Sequence, residues 1–394
     1  MFWSLMAAHL INRLGGFVQP FLVLYLTQDR QLTAGTAGAV AATVGIGTVA
    51  SHVVGGWLTD RVGRRRTMLT GFAGAALALI GLGTSGTTVT ISMSAFAVGL
   101  TSELFRPALS ATVADLLEPG ARVRAFGMLL WAANLGFSVS TVSAGVLAAF
   151  GYGLLFWINA ATSAVAAIIV ACAVRETRPV GAPEARRSLL PVATRDFALL
   201  LSVAILVVYA TIYFQGYSTL ALVTATDGLS PSEYGALIAV NGLLIVLLQP
   251  LAVRYLANRD RSTVMAASML IVGVGFGLGA LVHNWQGYGL SVVVWTVGEI
   301  GVANMFGAIF ADLAPADLRG GYMGLSGLSW GLGAVLGPAL GTVVLDQLGR
   351  AVLWGSCAVL GAALFAAQLA IGPMLRHRAA GAESGDPPDL PSTS

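Results

Sequence analysis

Twelve long apolar runs separated by short polar segments make up most of the chain. They fall near residues 3–28, 35–58, 67–84, 89–114, 124–148, 152–174, 197–224, 233–256, 264–282, 287–312, 321–346 and 351–373. A helix needs roughly 20 apolar residues to cross a bilayer, and these runs have that length. Backbone polar groups in hydrocarbon must be satisfied inside the segment, so the runs predict helices. The alternating pattern of a membrane β-strand is absent. The expected fold is an all-α membrane protein with twelve transmembrane helices.

The pattern repeats at an offset of 197 residues, half the chain. Ala114-Asp115-Leu116 recurs as Ala311-Asp312-Leu313, Arg122 as Arg319, Gly136 as Gly333 and Trp157 as Trp354. Shared hydrophobicity alone would not keep Asp and Arg in register. Two pseudo-symmetric six-helix bundles follow, at 1–174 and 197–373. A cytoplasmic loop at 175–196 joins them, and a disordered cytoplasmic tail occupies 374–394. Paired bundles of this kind form a binding site at their interface and rock about it.

Composition agrees. Charged residues are 10% of the chain, against about 25% in soluble domains. The 49 glycines suit close helix packing in lipid. All 21 basic residues are arginine, which points to a GC-rich genome and a bacterial plasma membrane. Seventeen of them lie in the loops after helices 2, 4, 6, 8 and 10 and in the tail, while the opposite loops hold Arg30 and Arg350. Positive loops stay inside, so both termini are expected in the cytoplasm. The first run lacks a basic leader and is read as a retained helix. Cys172 and Cys357 lie inside apolar runs and suggest no disulfide framework.

Ionisable residues at membrane depth are costly and mark function by default. Glu103 and Arg106 sit one turn apart in helix 4. They are candidates for proton coupling, or a local pair that neutralises itself. Arg13 in helix 1 belongs to a polar stripe of His9, Asn12, Arg13, Gly16 and Gln19. It could hold Glu103 or meet an anionic substrate. Glu299 in helix 10 is the other deep acid and, with Arg13, a further candidate for proton coupling. Its repeat counterpart is Ser102 rather than Glu103, so the two acids are out of register by one residue. Asn12, Gln19, Trp131, Asn134, Tyr209, Tyr213, Tyr217, Asn241, Gln249 and Trp330 are candidates for a cavity that takes an amphipathic organic solute. The aromatic ones could equally be packing or interface anchors. Gly333, Gly337-Pro338 and Gly341 leave one smooth face on helix 11 for close helix contact.

The loop after helix 2 reads Gly56-Trp57-Leu58-Thr59-Asp60-Arg61-Val62-Gly63-Arg64-Arg65. It resembles the signature loop of the major facilitator superfamily. Gly56 would permit close helix contact and Gly63 a tight turn. The resemblance implies the major facilitator fold. It also implies a conformational latch of Gly56, Asp60, Arg61, Gly63, Arg64 and Asp115 that holds the outward-facing state. The equivalent stretch after helix 8, Arg254 to Asp260, is eroded, so the latch is expected in one half only. Arg106-Pro107-Ala108-Leu109-Ser110-Ala111 is similar to the helix-4 motif of the drug/proton antiporter branch, where the Arg is linked to proton coupling. The helix-11 glycines resemble that branch's helix-5 antiporter motif. Helix 5 itself has Gly136, Ser140-Thr141 and Ala144-Gly145, without the Gly-Pro pair.

No phosphate-binding loop or nucleophile elbow occurs, and His9, His52, His283 and His377 lack metal-ligand spacing. The expected function is secondary transport without a cofactor, namely proton-coupled efflux of a small amphipathic or hydrophobic compound of the drug or antibiotic class. The expected partners are a small-molecule substrate, protons and lipid; nucleic acid is not expected, and a monomer is. The alternative within transport is symport or uniport uptake of a small polar solute such as a sugar or metabolite. A membrane-embedded enzyme is the reading from a different class.

Overall fold

The computed structural model describes residues 1–177, 194–256, 259–314 and 319–384. Among them, twelve helices are long and apolar enough to cross a membrane. They are α1 (Phe2–Asp29), α2 (Ala34–Arg61), α3 (Arg64–Thr84), α4 (Thr88–Val113), α5 (Pro119–Ala148) and α6 (Tyr152–Ala173). The second half holds α7 (Phe197–Thr226), α8 (Pro231–Leu256), α9 (Arg261–Ala280), α10 (Trp285–Leu313), α11 (Arg319–Leu348) and α12 (Arg350–Ser384). The all-α, twelve-helix expectation holds.

Three of these helices are interrupted where the sequence suggested continuous runs. α1 stops at Leu14 and resumes at Val18, beyond Gly15 and Gly16. α7 passes through a tight turn at Phe214–Tyr217, at the equivalent place in the repeat. α4 stops at Ser102 and resumes at Phe105. The cause in α4 is Pro107. Proline has no N–H and its ring clashes with the carbonyl four residues back, here that of Glu103. That carbonyl accepts from the Arg106 amide instead, at 3.1 Å. The repeat equivalent of Pro107 is Asn304, and α10 runs unbroken past Glu299.

The two bundles meet along two seams, α2 against α11 and α5 against α8. Both are tight at one end of the molecule. A Cβ added to Gly45 of α2 would lie 2.6 Å from the Ala334 backbone of α11. On the other seam the Ser232 hydroxyl donates to Gly145 O at 2.9 Å. Phe21 of α1 and Tyr234 of α8 close this end with rings 5.5 Å apart. Beyond Val49 on α2 and Ser138 on α5 the seams part. Val53 is 69% exposed and Leu247 59%. The molecule is therefore closed at the end bearing Arg30 and Arg350 and open at the arginine-rich end.

The last helix continues to Ser384, past the expected boundary at 373. Residues 374–384 read as tail because they are polar. They are helical because two of their arginines have partners. Arg376 reaches Asp260 at 3.3 Å. Arg378 grips Asp196 with both terminal nitrogens, at 2.9 and 3.0 Å. Asp196 is fully buried, accepts from the Tyr322 hydroxyl at 2.9 Å and caps α7 through Leu199 N at 3.2 Å. Residues 385–394, and 178–193 of the joining loop, lie outside the described residues.

Candidate functional site

A cavity of about 430 Å³ lies between the bundles. Its walls come from the interrupted helices and from α2, α5, α6, α8, α10 and α11. The two sides differ in chemistry.

The N-terminal side is ionic. The break at Glu103 turns this carboxylate toward two guanidiniums. Arg106 Nε contacts Glu103 Oε2 directly, and Arg13 Nη2 donates to Oε1 at 3.4 Å. Both roles weighed for Glu103, partner to Arg106 and partner to Arg13, are thus filled together. Arg13 also lies over the Phe105 ring, 6.0 Å from its centre. Asn12 donates to the Ser163 hydroxyl at 3.2 Å. Arg106 keeps half of its side chain exposed to the cavity. The break absorbs the one-residue register difference, because Ser102 and Glu103 both reach the wall.

The C-terminal side is aromatic and carries one acid among neutral groups. Glu299 is 9% exposed and lines the cavity. Asn241 donates to Glu299 Oε2 at 2.6 Å and sits 3.0 Å from the Thr296 hydroxyl. Among the described residues no basic group pairs with Glu299. Tyr213 and Tyr217 join their hydroxyls at 2.9 Å, and Trp330 packs edge-on against Tyr213 with centres 5.1 Å apart.

Of the sequence-derived candidates, Asn12, Gln19, Asn134, Tyr213, Tyr217, Asn241 and Trp330 reach the cavity. Three do not line it. Tyr209 is buried behind Tyr213 and packs on Trp330. Gln249 pairs with Asn304 at 3.1 Å between α8 and α10. Trp131 is half exposed on α5, away from the cavity wall. Sequence reasoning missed Ser102, His52 and Asn159 as lining residues. The offset that links Glu299 to Ser102 was the available signal for the first. The helix-11 glycines do form a packing face. Gly333 lies against Ala210 and Gly337 against Phe214, and a Cβ on Gly341 would overlap the Gln215 amide. Gln215 in turn donates to Gly337 O at 3.0 Å.

At the open end, Arg64 Nε meets Asp115 at 3.2 Å, and Arg64 also donates to Thr59 O at 3.1 Å. Gly63 has φ +109°, a conformation that favours glycine. Glu176, which the sequence did not single out, accepts from the Arg64 amide at 2.8 Å and so caps α3. Arg61 lies over Trp57 at 5.3 Å. The Asp60 side chain lies outside the described residues. Gly56 makes no close helix contact here, because the bundles stand apart at this end. The eroded loop of the second half still carries an ion pair. Arg261 pairs directly with Asp312, and these are the repeat equivalents of Arg64 and Asp115. The eroded loop hid an intact ion pair.

Two pseudo-symmetric helical bundles around a central cavity, open at one end and sealed at the other, define a secondary transporter. The chain belongs to the major facilitator superfamily, whose sequence profile matches residues 5–226 and 201–389. It is 24% identical to the MFS-type transporter YqjV of Bacillus subtilis (strain 168), over 88% of this chain and 87% of that one. It is 23% identical to the Na+, Li+, K+/H+ antiporter of Planococcus maritimus, over 82% and 84% of the two chains. It is also 23% identical to multidrug resistance protein 2 of Bacillus subtilis (strain 168), over 84% and 85%. Among solved structures it is similar to a POT family transporter in complex with a thioalcohol-conjugated peptide. That match has a TM-score of 0.82 and 14% identity, and covers 95% of this chain and 96% of the other.

Proposed function

We propose that the protein exports a small amphipathic organic compound in exchange for protons. The observation that carries this reading is the cavity itself, in which an aromatic wall of Tyr213, Tyr217 and Trp330 holds one acid, Glu299, and looks across at a second, Glu103. Aromatic faces suit an apolar body, and ionisable groups at this depth are the usual means of moving protons. The names of the antiporter and multidrug relatives favour the same direction. Both termini face the cytoplasm in this reading, since the arginine-rich end is the inner one. The conformation is then inward-open, and Asp60, Arg64 and Asp115 form the latch that closes with the inner end. The protein works as a monomer.

The test is transport in proteoliposomes under an imposed pH gradient, with cationic dyes, neutral drugs and sugars offered in turn. Dyes or neutral drugs should move against their gradient only when protons run the other way. Proton-driven accumulation of a sugar would replace export by uptake. Arg64→Ala should slow the cycle and bias cysteine accessibility toward the inner side. Unchanged accessibility would remove the latch.

A further inference from the structure

Proton exchange needs a carboxyl group that is stable both with and without its proton. The two acids of the cavity differ in this respect. Glu103 is held by Arg106 in direct contact and by Arg13 at 3.4 Å. A proton on Glu103 would leave two guanidiniums at membrane depth with no counter-charge, and an unpaired buried charge is costly. Even with Glu103 ionised this wall keeps one surplus positive charge. Glu299 has the opposite setting. Its partners are neutral, the amide of Asn241 at 2.6 Å and the hydroxyl of Tyr213. An amide offers both a donor and an acceptor, so it can satisfy either protonation state by turning over. No rearrangement of charged neighbours is required.

We infer that Glu299 is the group that carries the exchanged proton, that Asn241 positions it, and that Glu103 is a fixed counter-ion of the arginine wall. This inference rests on the export reading and assigns its coupling to the C-terminal bundle. The titratable groups that face Glu299 are Tyr209, Tyr213 and Tyr217 of α7. α8 contributes Asn241 and α10 Thr296, both neutral, and α11 contributes Trp330. Across the cavity stand Arg13, His52, Glu103 and Arg106. In the step itself the Glu299 carboxyl O–H breaks, its electron pair stays on the carboxylate, and a cavity water takes the proton as a new O–H bond. The carboxylate is left accepting from Asn241 Nδ2, as the structure shows it. The hydroxyls of Tyr213 and Tyr217 flank the same surface. A substrate seated against those rings therefore sits beside the proton site and senses whether it is filled. The arginine wall lies across the cavity and supplies a field that does not change during the cycle.

Two measurements on the full-length protein in lipid test this. The first is infrared difference spectroscopy during a titration from alkaline to mildly acidic pH, with no substrate added. A protonated-carboxyl C=O band should grow in the wild type, vanish in Glu299→Gln, persist in Glu103→Gln, and shift its midpoint in Asn241→Ala. Persistence of the band in Glu299→Gln overturns the inference, whichever residue then proves responsible. The second uses ethidium as the transport probe. Glu299→Gln should lose accumulation driven by a pH gradient, down to the level without a gradient, yet keep ethidium–ethidium exchange at equal pH. Gradient-driven accumulation at the wild-type level in Glu299→Gln also overturns it. If the wild type moves no probe under a gradient, the export reading fails, and the infrared titration still decides whether Glu299 holds the proton.

Discussion

Glu103 and Glu299 sit one residue apart in the register of a repeat that otherwise aligns the two bundles, yet their surroundings are opposite. One is locked between guanidiniums at a helix break. The other lies on an unbroken helix among amides and aromatic rings. The bundles share their framework down to the ion pairs Arg64–Asp115 and Arg261–Asp312. The divergence begins with a single proline. Pro107 breaks α4 and turns Glu103 toward the arginines, whereas Asn304 leaves α10 intact. One duplicated scaffold thus acquired a wall that holds its acid between guanidiniums and a wall that holds its acid among neutral groups.

The largest expected effect tests the locked acid. Glu103→Ala strands two guanidiniums and should cost about 3–5 kcal/mol of stability. Glu299→Ala removes one of the two acceptors of the Asn241 amide and should cost about 1–3 kcal/mol. Thermal unfolding in detergent measures both, and equal losses would erase the contrast. Next comes Asn304→Pro, which imposes the α4 break on α10. It should cost about 3 kcal/mol or more, since it removes a helix hydrogen bond and clashes with the carbonyl of Ile300. A variant as stable as wild type would mean that proline does not cause the divergence. Asp115→Asn and Asp312→Asn should each cost about 0.5–1 kcal/mol, because these pairs are partly exposed. A loss confined to Asp115→Asn would restore the picture of an ion pair in one half only.

The smallest effect concerns the way each bundle caps its third helix. The N-terminal bundle caps α3 from a distance, with Glu176 at the end of α6. The C-terminal bundle caps α9 locally, with Asp260. The Thr263 hydroxyl and amide, together with Arg376, hold the Asp260 carboxyl below its usual range. A carboxyl lowered by folding stabilises above its unfolded pKa and stops doing so as pH falls through the folded value. Asp260→Ala should therefore cost about 1 kcal/mol at neutral pH. The difference from wild type should shrink in acid and vanish once Asp260 is protonated. A difference that stays constant with pH would show that the cap is not ionic.

Much of this was legible in the sequence because lipid imposes simple rules. Run length gave the spans, and the offset gave the two bundles. Arg64, Asp115, Glu103, Arg106 and Arg13, singled out by motif and by their place in the apolar runs, all take part in ion pairs. What stayed hidden was geometry that depends on distant partners. Pro107 was visible, but only a view of the fourth residue back connects it to Glu103. Arg261 was masked by an eroded motif, although the offset pointed to it. Glu176 lies beyond the last apolar turn of α6, and nothing local marks it as the cap of α3. The polar stretch after Pro373 read as tail because charge predicts solvent unless the partners are known. Tyr209 and Gln249 have the composition of cavity residues and the positions of packing residues, a distinction set by helix rotation.

The grip of Arg378 on Asp196 also bears on how the chain is made. These residues are separated by 182 positions, nearly the whole second half. Asp196 opens the first helix of that half and is completely buried. Its counter-charge lies on α12, which is made after the other eleven spans. Until then the second bundle holds a buried carboxylate whose only described partners are a tyrosine hydroxyl and a backbone amide. Arrival of α12 is thus reported to the start of the bundle by one arginine. A chain that stops short of it, or carries Arg378→Ala, should insert all twelve spans and still be recognised by membrane proteases as unfinished, with a shortened half-life in pulse-chase labelling.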